Sequence, residues 1–157
     1  VVGLVSWILV AVLAALLLVA AIGDLRNRTI PNWLTGAVAL LATGWWWANS
    51  WALWPDIAIV VGIALLLLLL FGAVFAFGAM GGGDVKLIVA LALWLRPALI
   101  PEMLMVMALA GGVLTILMLA WHRWRKMEGQ PEVPYGVAIV AAGCWVVAND
   151  VLTILVP

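Results

Sequence analysis

Charged residues cut the chain into long apolar runs. Val1–Gly23 carries no charge, nor does Ile30–Pro55; Ile57–Gly83 follows and ends in glycines. Met103–Trp121 is a further run, and Val133–Asn149, extended past Asp150 to about Val156, is the last. A helix needs about 20 mostly apolar residues to cross the ~30 Å hydrocarbon layer of a bilayer, so each run predicts a crossing. The stretch Val85–Glu102 is harder, because only nine apolar residues separate Lys86 from Arg96. That is about 14 Å of helix. It is expected to span by starting near Asp84 and continuing to about Ile100, with Arg96 snorkelling outward and Pro97 near its end.

Charge placement supports counting that stretch. With six crossings, Arg26, Arg28, Lys86, Arg123, Arg125 and Lys126 share one side, and Arg96 lies on the other with Asp56, Glu102 and Asp150. Lys and Arg accumulate in short cytoplasmic loops. The expected fold is therefore an all-α membrane protein, a six-transmembrane-helix bundle with N- and C-termini extracytoplasmic. Residues 1–157 form one domain. Trp45, Trp46, Trp47, Trp51, Trp54 and Trp94 are expected at the outer interface, Trp33, Trp121 and Trp124 at the inner one, and Trp145 inside the bundle.

Composition agrees. The chain is 69% hydrophobic and 9% charged, against about 45–50% and about 25% in soluble domains. That excludes a water-soluble enzyme and a disordered tail. Zero net charge and the lack of a basic face exclude a nucleic-acid binder. The one cysteine, Cys144, excludes a disulfide framework and a Cys-based zinc site. Val1–Gly23 lacks the leading positive charge of a secretory signal and reads as a retained helix.

An ionisable residue in or beside a membrane helix is costly and marks a candidate site. Asp56 reads as a solvated turn residue, Glu102, Glu128 and Glu132 as loop residues, and Asp150 as a helix-end or packing group. Asp24 and Asp84 differ. Asp24 closes the first helix and Asp84 opens the fourth, after Gly81-Gly82-Gly83, and six crossings put both at one depth on one face. Two carboxyl groups brought close do not both ionise easily. One then takes a proton from water while the other, protonated, polarises a scissile carbonyl. Two local readings compete: Asp24 anchoring a helix end beside Arg26 and Arg28, and Asp84 pairing with Lys86 or capping helix four. The glycines serve either as a hinge or as bare backbone admitting an extended substrate. A proton- or cation-coupled transporter using the same two acids is the alternative function, against which both acids sit near one interface.

Gly81-Gly82-Gly83-Asp84-Val85-Lys86-Leu87 resembles the GxGD signature of the type IV prepilin peptidases, and Asp24 through Asn32 resembles the family's first motif, an aspartate, a basic stretch and Ile-Pro-Asn. Pro134-Tyr135-Gly136 is similar to a third element. The resemblance implies an aspartic endopeptidase of the inner (cytoplasmic) membrane. Such an enzyme removes the basic leader of prepilins or pseudopilins at the cytoplasmic face, without a metal or other cofactor. It implies Asp24 and Asp84 as the catalytic pair, with Gly81 and Gly83 as the signature glycines and Lys86 as a nearby charge. Arg26, Arg28, Pro31, Asn32, Pro134, Tyr135 and Gly136 match motif positions. No cysteine pair or extra cytoplasmic domain accompanies them, so the chain looks like the compact tight-adherence (Flp) form, without methyl transfer. The implied partners are the precursor's membrane-inserted helix and the lipid bilayer.

His122 has no second ligand to complete a metal site, Ser6 and Cys144 lack a His partner, and Gly111-Gly112 is expected to allow close helix packing.

Overall fold

The apolar runs fold as helices whose ends are set by local backbone chemistry. The computed structural model describes residues 2–125 and 133–155. α1 (Val2–Asn27) stops where Arg28 adopts a left-handed conformation, φ 54°, with its amide bonded to the Asp24 carbonyl at 3.0 Å. A left-handed residue after the last turn satisfies carbonyls that the helix leaves open. Pro31, extended, precedes α2 (Asn32–Ala48). An irregular turn, Leu53–Ile57, contains a cis Trp54–Pro55 bond and leads into α3 (Ala58–Ala76). Then come α4 (Gly82–Ala92), a 3₁₀ turn at Pro97–Leu99, α5 (Ile100–Trp124) and α6 (Tyr135–Leu155). Every regular element among the described residues is helical.

The short helix is the centre of the bundle. α4 lies against α2, α3 and α6, while α1 lies between α2 and α6, and α5 lies against α6. Val85, Leu87, Ile88, Ala90, Leu91 and Ala92 of α4 are buried, as are Trp94 and Leu95 after it. The expected continuous helix from Asp84 to Ile100 is not what forms. α4 ends at Ala92, and Arg96 is extended (φ −62°, ψ 144°) because the proline that follows disfavours the helical region. Eleven residues give about 16 Å of helix; protein on three sides supplies the apolar surroundings that lipid would otherwise provide.

Among the described residues three helical stretches are long and apolar enough to cross a membrane: Gly3–Asn27, Leu53–Ala76 and Pro97–Trp124. Leu18, Leu69, Phe75 and Leu117 stand exposed on their outward faces, a surface that water does not favour.

Several placements differ from expectation. Trp45 and Trp94 pack inside the bundle: they are 3% and 1% exposed, with ring centroids 5.7 Å apart. Trp45 continues the buried stripe Leu34, Thr35, Val38 and Ala42 of α2, which faces the core. Trp94 Nε1 donates to the Val38 carbonyl at 2.9 Å, and Trp46 Nε1 to the Leu93 carbonyl at 2.7 Å. Trp47, Trp54, Trp33, Trp121 and Trp124 are exposed. Trp145, expected inside, is exposed, because it lies opposite the inward-facing Gly143 and Val147 of α6. Glu102 is in the first turn of α5 rather than in a loop, where the helix dipole favours a negative charge. Asp56 is in a turn and exposed, and its Oδ2 accepts the Ala52 amide at 3.0 Å. Asp150 is buried in α6 within electrostatic reach of Arg96. Lys126, Glu128 and Glu132 lie outside the described residues.

Trp94→Phe tests the centre of the bundle. Losing the indole donor to Val38 is expected to lower unfolding free energy by about 1 kcal/mol, read as an earlier denaturation midpoint in detergent. An unchanged midpoint shows that this bond contributes nothing.

Candidate active site

Asp24 and Asp84, sixty positions apart in sequence, line one cavity of about 210 Å³ together with Arg28, Thr29, Ile30, Gly81, Gly82 and Gly83. The charge of Asp24 acts directly on Asp84. Three helix ends create this meeting. α1 delivers Asp24 in its last turn, α4 delivers Asp84 in its first, and the start of α6 closes over Asp24.

Asp84 reaches its position by local helix chemistry. Gly81 is the residue before α4, and Asp84 is three positions later, so its carboxyl bends back to the Gly81 amide. This is the reciprocal half of a capping box. A Cβ on Gly81 would sit 3.0 Å from Asp84 Oδ2, so the glycine leaves that carboxylate its room. Asp84 neither caps α4 as its N-cap residue nor pairs with Lys86; Lys86 Nζ instead donates to Asn32 Oδ1 at 2.7 Å.

Asp24 is enclosed more tightly. It is 6% exposed, and its Oδ2 is buried without a hydrogen-bond partner. The amides of Gly136 and Val137, at the N-terminus of α6, are directed at this carboxyl, and the positive charge of Arg28 lies within reach. A helix N-terminus favours negative charge. A Cβ on Gly136 would come within 2.8 Å of Asp24 Oδ2 and 2.9 Å of Ile30 Cδ1. A Cβ on Gly83 would meet Ile30 Cβ at 3.0 Å. Ile30 is thus wedged between two glycines, holding the Arg28–Pro31 turn against the starts of α4 and α6.

The cavity gathers Asp24, Asp84, Gly81 and Gly83, and Gly136 stands against Asp24 from α6. The other motif residues lie apart. Lys86 and Asn32 form an exposed pair tying α4 to α2. Arg26 and Pro31 are exposed and Pro134 is buried; none of them lines the cavity. The Tyr135 ring lies on Gly111 of α5, where a Cβ would meet Cε1 at 3.1 Å. Gly111 therefore does permit close packing. Arg28, a motif residue, lines the cavity, while Ile30 and the Val137 amide belong to the site although their residue types did not single them out. The signal that marks Ile30 is its place directly before Pro31, which disfavours the helical region there and keeps it extended. Among the described residues no group of three or more His, Cys, Asp or Glu is placed to hold a metal ion.

The Lys86–Asn32 bond is exposed, so its weight is expected to be small. Lys86→Met and Asn32→Ala are each expected to lower unfolding free energy by no more than about 1 kcal/mol, read as the denaturation midpoint in detergent. The double variant is expected to match the single ones; a summed loss shows that the two act independently.

A buried carboxyl and a second one line the same small cavity, backed by glycines and helix ends. A sequence model of the type IV leader peptidase family matches residues 11–116 of the chain. The chain is similar to a prepilin leader peptidase/N-methyltransferase of Pectobacterium carotovorum subsp. carotovorum, 27% identical over 136 residues, covering 84% of this chain and 48% of that protein. It is 30% identical over 138 residues to a protein so named from Burkholderia pseudomallei strain 1026b, covering 83% of this chain and 42% of that protein. The chain spans about half the length of the curated relatives it matches. No solved structure is matched.

Proposed function

The chain belongs to the type IV leader peptidase family, and on that premise we propose that it is an aspartic endopeptidase that removes the leader of prepilins or pseudopilins. Asp24 and Asp84 are its catalytic pair. The observation that supports this most is their shared cavity, with Asp24 Oδ2 buried and unpartnered.

One carboxyl of the pair is ionised and the other protonated. The ionised one takes a proton from a water held between them as the water oxygen attacks the scissile carbonyl carbon. The protonated one gives its proton to the carbonyl oxygen. The tetrahedral diol collapses as the carboxyl that took the water proton gives it to the leaving amine and the other carboxyl takes a proton from a diol hydroxyl, so the pair again shares one proton. Gly81 keeps a Cβ away from Asp84 and Gly83 makes room for Ile30, so an extended peptide reaches the acids past bare backbone. Gly136, with Val137, holds Asp24 in place, and Arg28 steadies its charge. Lys86 and Asn32 tie α4 to α2; Arg26, Pro31, Pro134 and Tyr135 shape the ends of the helices that carry the site.

The chain crosses the inner membrane six times in this reading, with both termini extracytoplasmic and the acids at the cytoplasmic face. The one-sided distribution of Lys and Arg supports that orientation.

The test is incubation of the purified protein with a precursor bearing a short basic leader, with the new N-terminus read by mass spectrometry. A single cut between leader and apolar segment is expected, at an undiminished rate with chelator present. A rate abolished by chelation and restored by zinc points to a metallopeptidase. Proton-coupled flux in sealed vesicles with no peptide product points to a transporter.

A further inference from the structure

A second cavity of about 210 Å³ opens between α1 and α6, and it is apolar. Leu13, Leu17 and Val147 form its floor, and Ala14, Cys144 and Ala148 its exposed rim, with Val10 at one end. Both walls lead to the acids. On α1, Leu13, Leu17, Ala20 and Asp24 follow at steps of three and four residues, one buried stripe ending in the carboxyl. On α6, the wall that carries Cys144 and Ala148 begins at Gly136, against Asp24. Other exposed apolar faces, such as Leu109, Val113 and Leu117 on α5, lack such a link, since α5 brings no residue to the cavity of the acids.

We propose that this furrow is where the apolar helix of the precursor docks. The inference rests on the peptidase reading above. A substrate cut at the membrane edge must place its apolar segment beside the enzyme on the path leading away from the acids, and this furrow runs that way. The small side chains of its rim let a second helix come close, which is how helices associate where lipid supplies no hydrophobic drive. Cys144 lies eight positions beyond Gly136, about 12 Å along the axis. A docked helix therefore passes Cys144 roughly eight to twelve residues after the cut, allowing a few extended residues at the acids.

The single cysteine makes the unaltered protein its own probe. Precursors carrying one cysteine at successive positions of the apolar segment are incubated with it in membranes. Product is measured first, and copper–phenanthroline then drives disulfide formation with Cys144. The expected result is cleavage, with cross-links centred eight to twelve residues past the cut and recurring one helical turn away. Ala148→Trp, which fills the rim, is expected to abolish the cross-link and raise KM for the membrane-anchored precursor about tenfold. Cleavage with cross-links absent, or scattered without helical period, overturns the docking site and leaves the peptidase reading standing. Cross-links between Cys144 residues of two copies, at the expense of precursor, identify self-association and also overturn it. A precursor that is not cut at all overturns the peptidase reading, and this inference with it.

Discussion

Asp24→Asn and Asp84→Asn are each expected to reduce precursor processing by about 10³-fold or more, in the range removed with a general acid or base. Asparagine matches the shape of aspartate and keeps its hydrogen-bonding span, but it neither accepts the proton of water nor shares one with its neighbour. In the proposed mechanism both groups act in one step, so the double variant is expected to be no slower than the slower single one. Asp56→Asn is the matched control: that residue is exposed in the turn before α3, away from the cavity, and a change below about twofold is expected, since surface positions rarely matter. Processing by purified, detergent-folded protein is the measurement. Wild-type rates in either single variant would falsify the assignment of the pair.

Gly136→Ala carries the second large effect, and its logic is steric. The added methyl would lie 2.8 Å from Asp24 Oδ2, 2.9 Å from its Cγ and 2.9 Å from Ile30 Cδ1. All three atoms end side chains, so the Asp24 carboxyl and the Ile30 methyl must move to admit the added group, and the shift of the carboxyl is what the substitution tests. Displacing a reacting group by about 1 Å costs on the order of 10²-fold in rate, and a loss of that size is expected. Helix propensity runs the other way, since alanine is favoured over glycine in a helix by about 1 kcal/mol. A slower enzyme with an unchanged or later denaturation midpoint is thus the signature of a site effect. Gly112→Ala, where an added Cβ meets nothing within 4 Å, is the comparison. Equal activity in the two variants shows that the contact with Asp24 does not matter.

Asp84 shows how much of the site is local. Its place three residues after Gly81 makes it an N-terminal acid of a helix whatever else surrounds it, and that much is legible from Gly81-Gly82-Gly83-Asp84 alone. Lys86 shows the limit. Its neighbour in sequence is Asp84, but it bonds Asn32, fifty-four positions away, and no spacing rule connects those two. Arg26 and Arg28 look alike as letters, yet Arg28 lines the cavity because it takes the left-handed turn that ends α1. Trp45 and Trp94 give no sign in the sequence of which way their rings face, and packing turns both into the core.

Apolar runs, their interruptions and the one-sided basic residues are properties of the linear chain. They determined the helical class, the boundaries near Asp24, Pro31 and Gly81, and the two acids worth comparing, because helix periodicity and capping act over a few residues. Which helix became the centre was decided only in three dimensions. α4 is too short to be shielded by its own length, and α2, α3 and α6 close around it. The same closure seats Asp24 beneath Gly136 and leaves the furrow between α1 and α6 open, since contacts between distant segments depend on side-chain volumes meeting in space, and a missing Cβ is felt only by whatever arrives next to it.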